Sequence, residues 1–236
     1  MIENIPKFDT IIPNILTVCT YTEFAPFSYD EQGEIVGSDI VLLKLFAEEM
    51  GLGINIIKRA FEELWHTPGK GDCDIAAAGM MERKERDLGV NGVWSRSYML
   101  VKRSLLIRKT DSNVLKGPKD LAGKKIVVTP ESTAHIDANE RYKHLGANII
   151  PVVPSQDEIV RQILDHKVDA FGEGTLSNEY LANKYVDEYG NPLLVLADIH
   201  EMKIPETLQF AIRSKDKNLA ICLNAFIATY EAPSKA

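Results

Sequence analysis

Ser132 and Thr133 stand where a pair of hydroxyls can do most for an anion. Behind them runs an apolar, strand-like stretch, Gly123-Lys-Lys-Ile-Val-Val-Thr129, and ahead of them a helix start. A strand end that turns straight into a helix gathers backbone N–H groups and the positive end of the helix dipole, and open α/β sheets bind ligands there. The same residues also suit a plain N-cap, and the two roles are compatible. Residues for covalent or metal chemistry show no comparable order. The five histidines (His66, His135, His144, His166 and His200) lack metal-ligand spacing such as H-E-x-x-H. No nucleophile elbow, dinucleotide fingerprint or P-loop is present, and Gly69-Lys-Gly71 reads as a turn. Cys19, Cys73 and Cys222 form no C-x-x-C, and an odd count leaves at least one thiol unpaired. Three buried, inert thiols are expected. No metal and no cofactor is expected either.

The elements that must position such residues alternate between strand and helix, which argues for an α/β architecture. Leu16–Thr20, Ile54–Ile57 and Asp74–Ala78 read as strands, and Ser38-Asp39 can cap a helix that runs to Gly51. A second set begins after Asp111. It has strands at Gly123–Thr129, Asn148–Val153 and Val168–Phe171, and helices from Ser132-Thr133 to near Gly146 and from about Thr175 to Tyr189. Ser155-Gln-Asp-Glu158 is a capping box that opens another helix. The halves echo each other weakly, through Asp74-Ile-Ala76 and Asp169-Ala170. The chain closes with a strand, Leu208–Ile212, and a helix through Leu219, Leu223 and Phe226.

The 236 residues suit either one large α/β domain or two domains of roughly 100 residues each. The net charge of −7 is spread in mixed sign, without the basic stripe that neutralises phosphates, so no nucleic-acid partner is expected. No apolar run reaches the roughly 18 residues that a membrane span needs. Met1 to Asn14 lacks a basic patch followed by an apolar run, so no signal peptide is visible.

Three stretches carry a resemblance. Leu16-Thr-Val-Cys-Thr-Tyr-Thr-Glu-Phe-Ala-Pro-Phe-Ser28 with Gly37-Ser-Asp39, Asp74-Ile-Ala-Ala-Ala-Gly-Met80 with its following Glu-Arg pairs, and Leu121-Ala-Gly-Lys-Lys-Ile-Val-Val128 are the three. Together they resemble the bacterial extracellular solute-binding proteins that feed polar amino acids to ABC transporters. The resemblance runs from about residue 14 to 230. It implies an α/β fold of two Rossmann-like lobes joined by a two-strand hinge, the type II periplasmic-binding-protein plan. Lobe 1 would comprise residues 1–106 and 204–236 and lobe 2 residues 107–203, with crossings near Ser104–Lys109 and Met202–Gln209.

The resemblance also implies a site in the inter-lobe cleft. Phe24, with Tyr21 nearby, matches the aromatic that stacks on the ligand, and Phe61 a second aromatic wall. Arg86, counted without gaps from Met80, matches the arginine that grips a carboxylate with two prongs; a deletion of three would make it Arg83. Ser132 and Thr133 match the hydroxyl pair on the same carboxylate, with Glu131 in place of the usual glycine. Backbone groups of Ala78 and Met80 would face a ligand ammonium, while the side chains of Ala78 and Met81 replace hydroxyls. The aspartate that pairs with an α-ammonium is replaced by Gly174, with Glu173 just before it. Either Glu173 reaches the same charge or the ligand lacks an α-amino group.

The function so implied is capture of a small polar, amino-acid-like or carboxylate solute without transforming it. A monomer that closes at its hinge would deliver it to an ABC-transporter permease, outside the cytoplasm. The alternatives are an enzyme like the cyclohexadienyl dehydratases, with Glu173 as general acid in a dry cleft, and the sensing domain of a membrane receptor.

Overall fold

The structure, a computed structural model, describes residues 6–152, 155–197, 206–215 and 217–230. The chain forms two compact units, Met1–Leu100 with Thr207–Ala236, and Val101–Glu206.

In the first unit β1 (Ile15–Thr20) is followed by an antiparallel ribbon of β2 (Glu23–Phe24), β3 (Ser28–Glu31) and β4 (Glu34–Val36). Then come α1 (Ser38–Glu49), β5 (Gly53–Lys58), the single turn α2 (Thr67–Lys70), β6 (Ile75–Ala77), β7 (Gly92–Trp94) and, at the boundary, β8 (Met99–Val101). The second unit contains β9 (Arg103–Arg108), β10 (Lys125–Val128), α3 (Thr133–Arg141), β11 (Asn148–Pro151), α4 (Gln156–Leu164), β12 (Ala170–Gly174), α5 (Thr175–Lys184) and β13 (Leu194–Leu196). The chain returns through β14 (Glu206–Leu208), which pairs with β8, to β15 (Ala211–Arg213) and α6 (Lys217–Thr229). No helix of the described residues is long and apolar enough to cross a membrane.

The first sheet has the order β5-β1-β6-β15-β7, with β1 parallel to β5 and β6, and β15 antiparallel to β6 and β7. Buried on both faces, β1 is apolar almost throughout, as parallel strands covered on two sides must be. Leu16 and Val18 pack with Phe46 of α1 and Leu219, Leu223 and Phe226 of α6; Cys19, on the opposite face, packs with Phe61, Leu64 and Trp65. The second sheet repeats the plan in the order β11-β10-β12-β9-β13.

The faint echo in the sequence has a physical basis. Asp74 sits just before β6, and its carboxylate accepts the Thr17 N–H of β1 (2.9 Å) and pairs with Arg213 of β15 (3.1 Å). Asp169 sits just before β12, accepts the Lys125 N–H of β10 (2.9 Å) and pairs with Arg108 of β9 (3.3 Å). Each aspartate thus staples a parallel strand to its neighbour at the start and neutralises an arginine from the antiparallel strand on its other side.

Several expectations need correction. Ser104–Lys109 is no crossing, because β9 lies inside the second sheet between β12 and β13. The first boundary therefore lies at Leu100/Val101 rather than after residue 106. The second expected boundary, after residue 203, and the start of Met202–Gln209 lie outside the described residues. The expected strand Leu208–Ile212 is divided between β14 and β15, which join different sheets. The strand expected at Val168–Phe171 lies at Ala170–Gly174, because Asp169 is used as the staple. Helix α5 ends at Lys184, where Tyr185 turns extended and Val186 bridges to Pro192. Gly37, not Ser38-Asp39, is the N-cap of α1.

Candidate functional site

In the first unit the residues implied as ligand contacts gather beyond the C-terminal ends of β1 and β6. Tyr21 and Phe61 meet edge to face with centroids 5.8 Å apart, and Phe61 meets Trp65 in the same way at 6.1 Å. The Arg86 guanidinium lies 4.8 Å from the Trp65 ring centre and 5.5 Å from that of Phe61, and its Nη1 donates to the Met81 carbonyl (3.0 Å). Arg86 is 4% exposed, which is rare for a charge and requires polarisable or acidic neighbours. Arg83, one turn back, is paired with Glu85 instead (3.5 Å), its side chain 22% exposed. Of the two candidate arginines, the structure brings Arg86 to the aromatic group.

Phe24 takes a different place. Its ring packs against Phe27 (5.3 Å) and covers Gly79, whose φ of +54° and lack of a side chain are both needed there. A Cβ on Gly79 would fall 2.6 Å from the Phe24 ring. The Gly79 N–H donates to Asp39 (2.8 Å), whose other oxygen accepts the Tyr98 hydroxyl (2.8 Å). Asp39 is thus a support of the turn that carries Ala78 and Met80. Burial pushes its carboxyl up to about 7, against the pull of those two donors. Ala78 and Met80 are themselves buried, and the Met80 carbonyl accepts the Gln209 N–H (2.8 Å).

In the second unit Ser132 is the N-cap of α3, and its Oγ accepts the His135 N–H (3.1 Å). This leaves the Ser132 hydroxyl proton for a ligand, while Thr133 begins the first helical turn. Glu131 has a φ of +57°, the left-handed region where a glycine is at ease, which explains why a glycine is usual there. Glu173, four residues past the Asp169 staple and 2% exposed, is engaged within its own unit. Its Oε1 accepts Arg103 Nη1 (3.1 Å) and the Gly174 N–H (2.8 Å), and Arg103 Nε reaches Glu206 (2.6 Å). Burial, with Glu206 adding to it, raises the Glu173 carboxyl against the pull of Arg103.

Trp65, Tyr98 and Arg103 are not singled out by the sequence. Trp65 lies four residues past Phe61, a signal that could have been read. Asp39 was seen but assigned to capping. Arg103 had no local signal; antiparallel pairing of β9 with β12, Gly174 opposite Arg103, is what brings it to Glu173.

The family model of the bacterial extracellular solute-binding proteins, family 3, matches residues 16–235. The chain belongs to that family. Among curated proteins it is similar to the membrane-bound lytic murein transglycosylase F of Desulfosudis oleivorans, with 24% identity over 194 residues, 81% of this chain and 40% of that one. It is also similar to the arginine-binding extracellular protein ArtP of Bacillus subtilis, with 30% identity over 113 residues, 48% of this chain and 43% of that one. The chain spans less than half the length of these relatives. Among solved structures, an amino acid ABC transporter substrate-binding protein of Streptococcus pneumoniae bound to L-arginine superimposes with a TM-score of 0.78 at 24% identity. That match covers 91% of this chain and 88% of the other, and it establishes the type II periplasmic-binding-protein fold.

Proposed function

We propose that this protein captures a small solute bearing a carboxylate, holds it without transforming it, and serves a membrane permease of an ABC transporter from outside the cytoplasm. The observation that carries this reading is the placement of Arg86. A guanidinium is held against Phe61 and Trp65 beside Tyr21, so its planar fork is oriented before any ligand arrives. Such preorganisation lowers the cost of binding a planar carboxylate. The first unit would contribute Tyr21, Phe61, Arg86 and the Ala78–Met80 turn, with Phe24 as support. The second would contribute Ser132 and Thr133 at the start of α3. The arginine-bound structural neighbour and the arginine-binding relative support a solute of amino-acid size.

A thermal-shift panel of amino acids, small carboxylates and amines tests the reading. A ligand at about 100 times its Kd stabilises the folded protein by about 2.7 kcal/mol. A panel in which no compound raises the melting temperature would sink it.

A further inference from the structure

We propose that His135 is the positioning residue of the turn that opens α3, and that the protein holds its solute less tightly once this imidazole is protonated. This rests on the solute-capture reading and adds to it the group that keeps the second unit's hydroxyl pair in place.

The turn is Thr129-Pro130-Glu131-Ser132, closed by the Ser132 N–H donating to the Thr129 carbonyl (3.2 Å). The ring of Pro130 fixes its φ at about −65°. Glu131, the third residue, has a φ of +57°. That is the pattern of a type II turn, whose third position suits glycine. Any residue with a side chain is strained there unless another group holds it. His135 supplies the hold. Its Nδ1 accepts the Glu131 N–H (3.3 Å), while its own backbone N–H donates to Ser132 Oγ (3.1 Å). Glu131 and Ser132 are thus both tied to one residue in the first turn of α3. Ser132 and Thr133 are 5% and 4% exposed, so their hydroxyls are packed closely and follow the backbone of the turn.

The hold depends on protonation. A neutral imidazole that accepts at Nδ1 carries its proton on Nε2, whereas the imidazolium carries one on each nitrogen and accepts nothing. Protonation therefore sets a ring N–H against the Glu131 N–H, and the bond becomes a repulsion. The charged groups that bear on the ring are Glu131 itself and Lys143, in the helical turn Lys143–Leu145 after α3. Burial, the largest influence, and Lys143 hold the imidazole below its usual range against the opposing pull of Glu131. The positive end of α3 acts in the same sense as Lys143. When the ring does charge, the Glu131 carboxylate is the counter-ion at hand, so the imidazolium offers a solute anion little in exchange for the lost turn. By reciprocity, a solute that needs the turn lowers the His135 pKa when it binds.

The test measures affinity by calorimetry from about pH 5.5 to 8, where the probes L-arginine, L-glutamate, L-alanine, lactate and pyruvate keep their carboxylates ionised. Wild type is compared with His135→Asn, whose side-chain oxygen can accept the Glu131 N–H and does not titrate. With any probe that binds, the two proteins should agree at about pH 8. At about pH 5.5 wild type should be weaker by roughly threefold to tenfold, the worth of one hydrogen bond. His135→Leu should bind weakly at every pH, and adding Glu131→Gly to it should restore affinity, because glycine takes the left-handed conformation unaided. Proton NMR of the histidine rings should show the His135 pKa falling when the probe binds. The difference between wild type and His135→Asn removes the titration of every other group. Equal pH profiles in the two would therefore overturn the inference and leave solute capture standing. A His135 pKa that rises in the complex would also overturn it, since the imidazolium would then itself attract the solute. Should His135→Leu not fold, wild type and His135→Asn still decide. Binding of no probe at any pH would count against both the inference and the capture of carboxylate solutes.

Discussion

The two units use one plan to different ends. Each has a parallel β-α-β core, a third strand introduced by a stapling aspartate, and an antiparallel strand whose arginine meets that aspartate. Past the third strand the plan is kept at the backbone and changed in charge. In the first unit the Gly79 N–H is held by Asp39, which is answered only by a neutral hydroxyl, Tyr98. In the second the Gly174 N–H is held by Glu173, which is answered by a cation, Arg103. The first unit then holds Arg86 against aromatic rings, and the second holds Arg103 between Glu173 and Glu206. The same plan thus leaves one arginine against aromatic rings and the other between two carboxylates.

The largest effect expected from breaking this comparison is on the second unit. Arg103→Leu strands Glu173 as a buried charge beside Glu206, and losing one partner of a buried pair costs about 3–5 kcal/mol. Urea denaturation would measure it. The double variant Arg103→Leu/Glu173→Gln should recover much of the loss, because the deeply buried charge is then gone and Glu206, its side chain 21% exposed, keeps access to water. A double variant no more stable than Arg103→Leu would show that the pair is not what the second unit relies on.

In the first unit the corresponding change should fall on affinity. Arg86→Ala should weaken binding of the best panel ligand by about 2–5 kcal/mol, as truncated buried charge pairs do. Arg86→Lys should restore only part of it, since an ammonium has no planar fork. Arg83→Ala should be nearly silent, because its pairing with Glu85 is partly exposed and such pairs contribute little. Calorimetry showing loss in Arg83→Ala and none in Arg86→Ala would transfer the role to Arg83.

How much of this was legible depends on whether the information is local. The alternation of elements, the N-cap of α4 at Ser155 and the hydroxyl pair at the start of α3 are local, and the structure places them close to where the residues implied. The Asp74/Asp169 echo was visible but mute, since a staple is defined by strands separated by 57 residues in one unit and 44 in the other. Ser38-Asp39 misled because a residue that suits a helix start also suits a buried support, and only the tertiary approach of Gly79 and Tyr98 decides between them. Glu173 could be located but not interpreted. Its meaning lies in Arg103, 70 residues earlier and brought opposite by strand pairing.

The contrast between Asp39 and Glu173 also has a pH signature. Burial raises Asp39 from an ordinary 3.8 to about 7, so the native state holds a proton that the unfolded chain has lost. That contribution to stability is complete below about pH 4, falls as pH rises through 7, and is gone above it. Asp39→Asn cannot titrate, so its stability relative to wild type should climb by about 1–3 kcal/mol between pH 4 and 8. Denaturation of both proteins across that range would measure the difference. Parallel pH curves would mean that the Asp39 carboxyl is ionised throughout.

The smallest effect separates a cap from a contact. Ser132 and Ser155 do the same structural work in the second unit, each accepting a first-turn N–H from its side chain, His135 at 3.1 Å and Glu158 at 3.2 Å. Loss of an N-cap hydroxyl costs typically about 1 kcal/mol, so Ser132→Ala and Ser155→Ala should destabilise the protein about equally. They should differ in binding. If the Ser132 hydroxyl donates its remaining proton to the solute carboxylate, its removal also lowers affinity by about 1–2 kcal/mol, roughly tenfold, whereas Ser155→Ala leaves affinity as it was. Melting curves give the first comparison and calorimetry the second. Equal stability losses with no difference in affinity would reduce Ser132 to a cap and leave the start of α3 with Thr133 and its backbone N–H groups as the only donors for the anion.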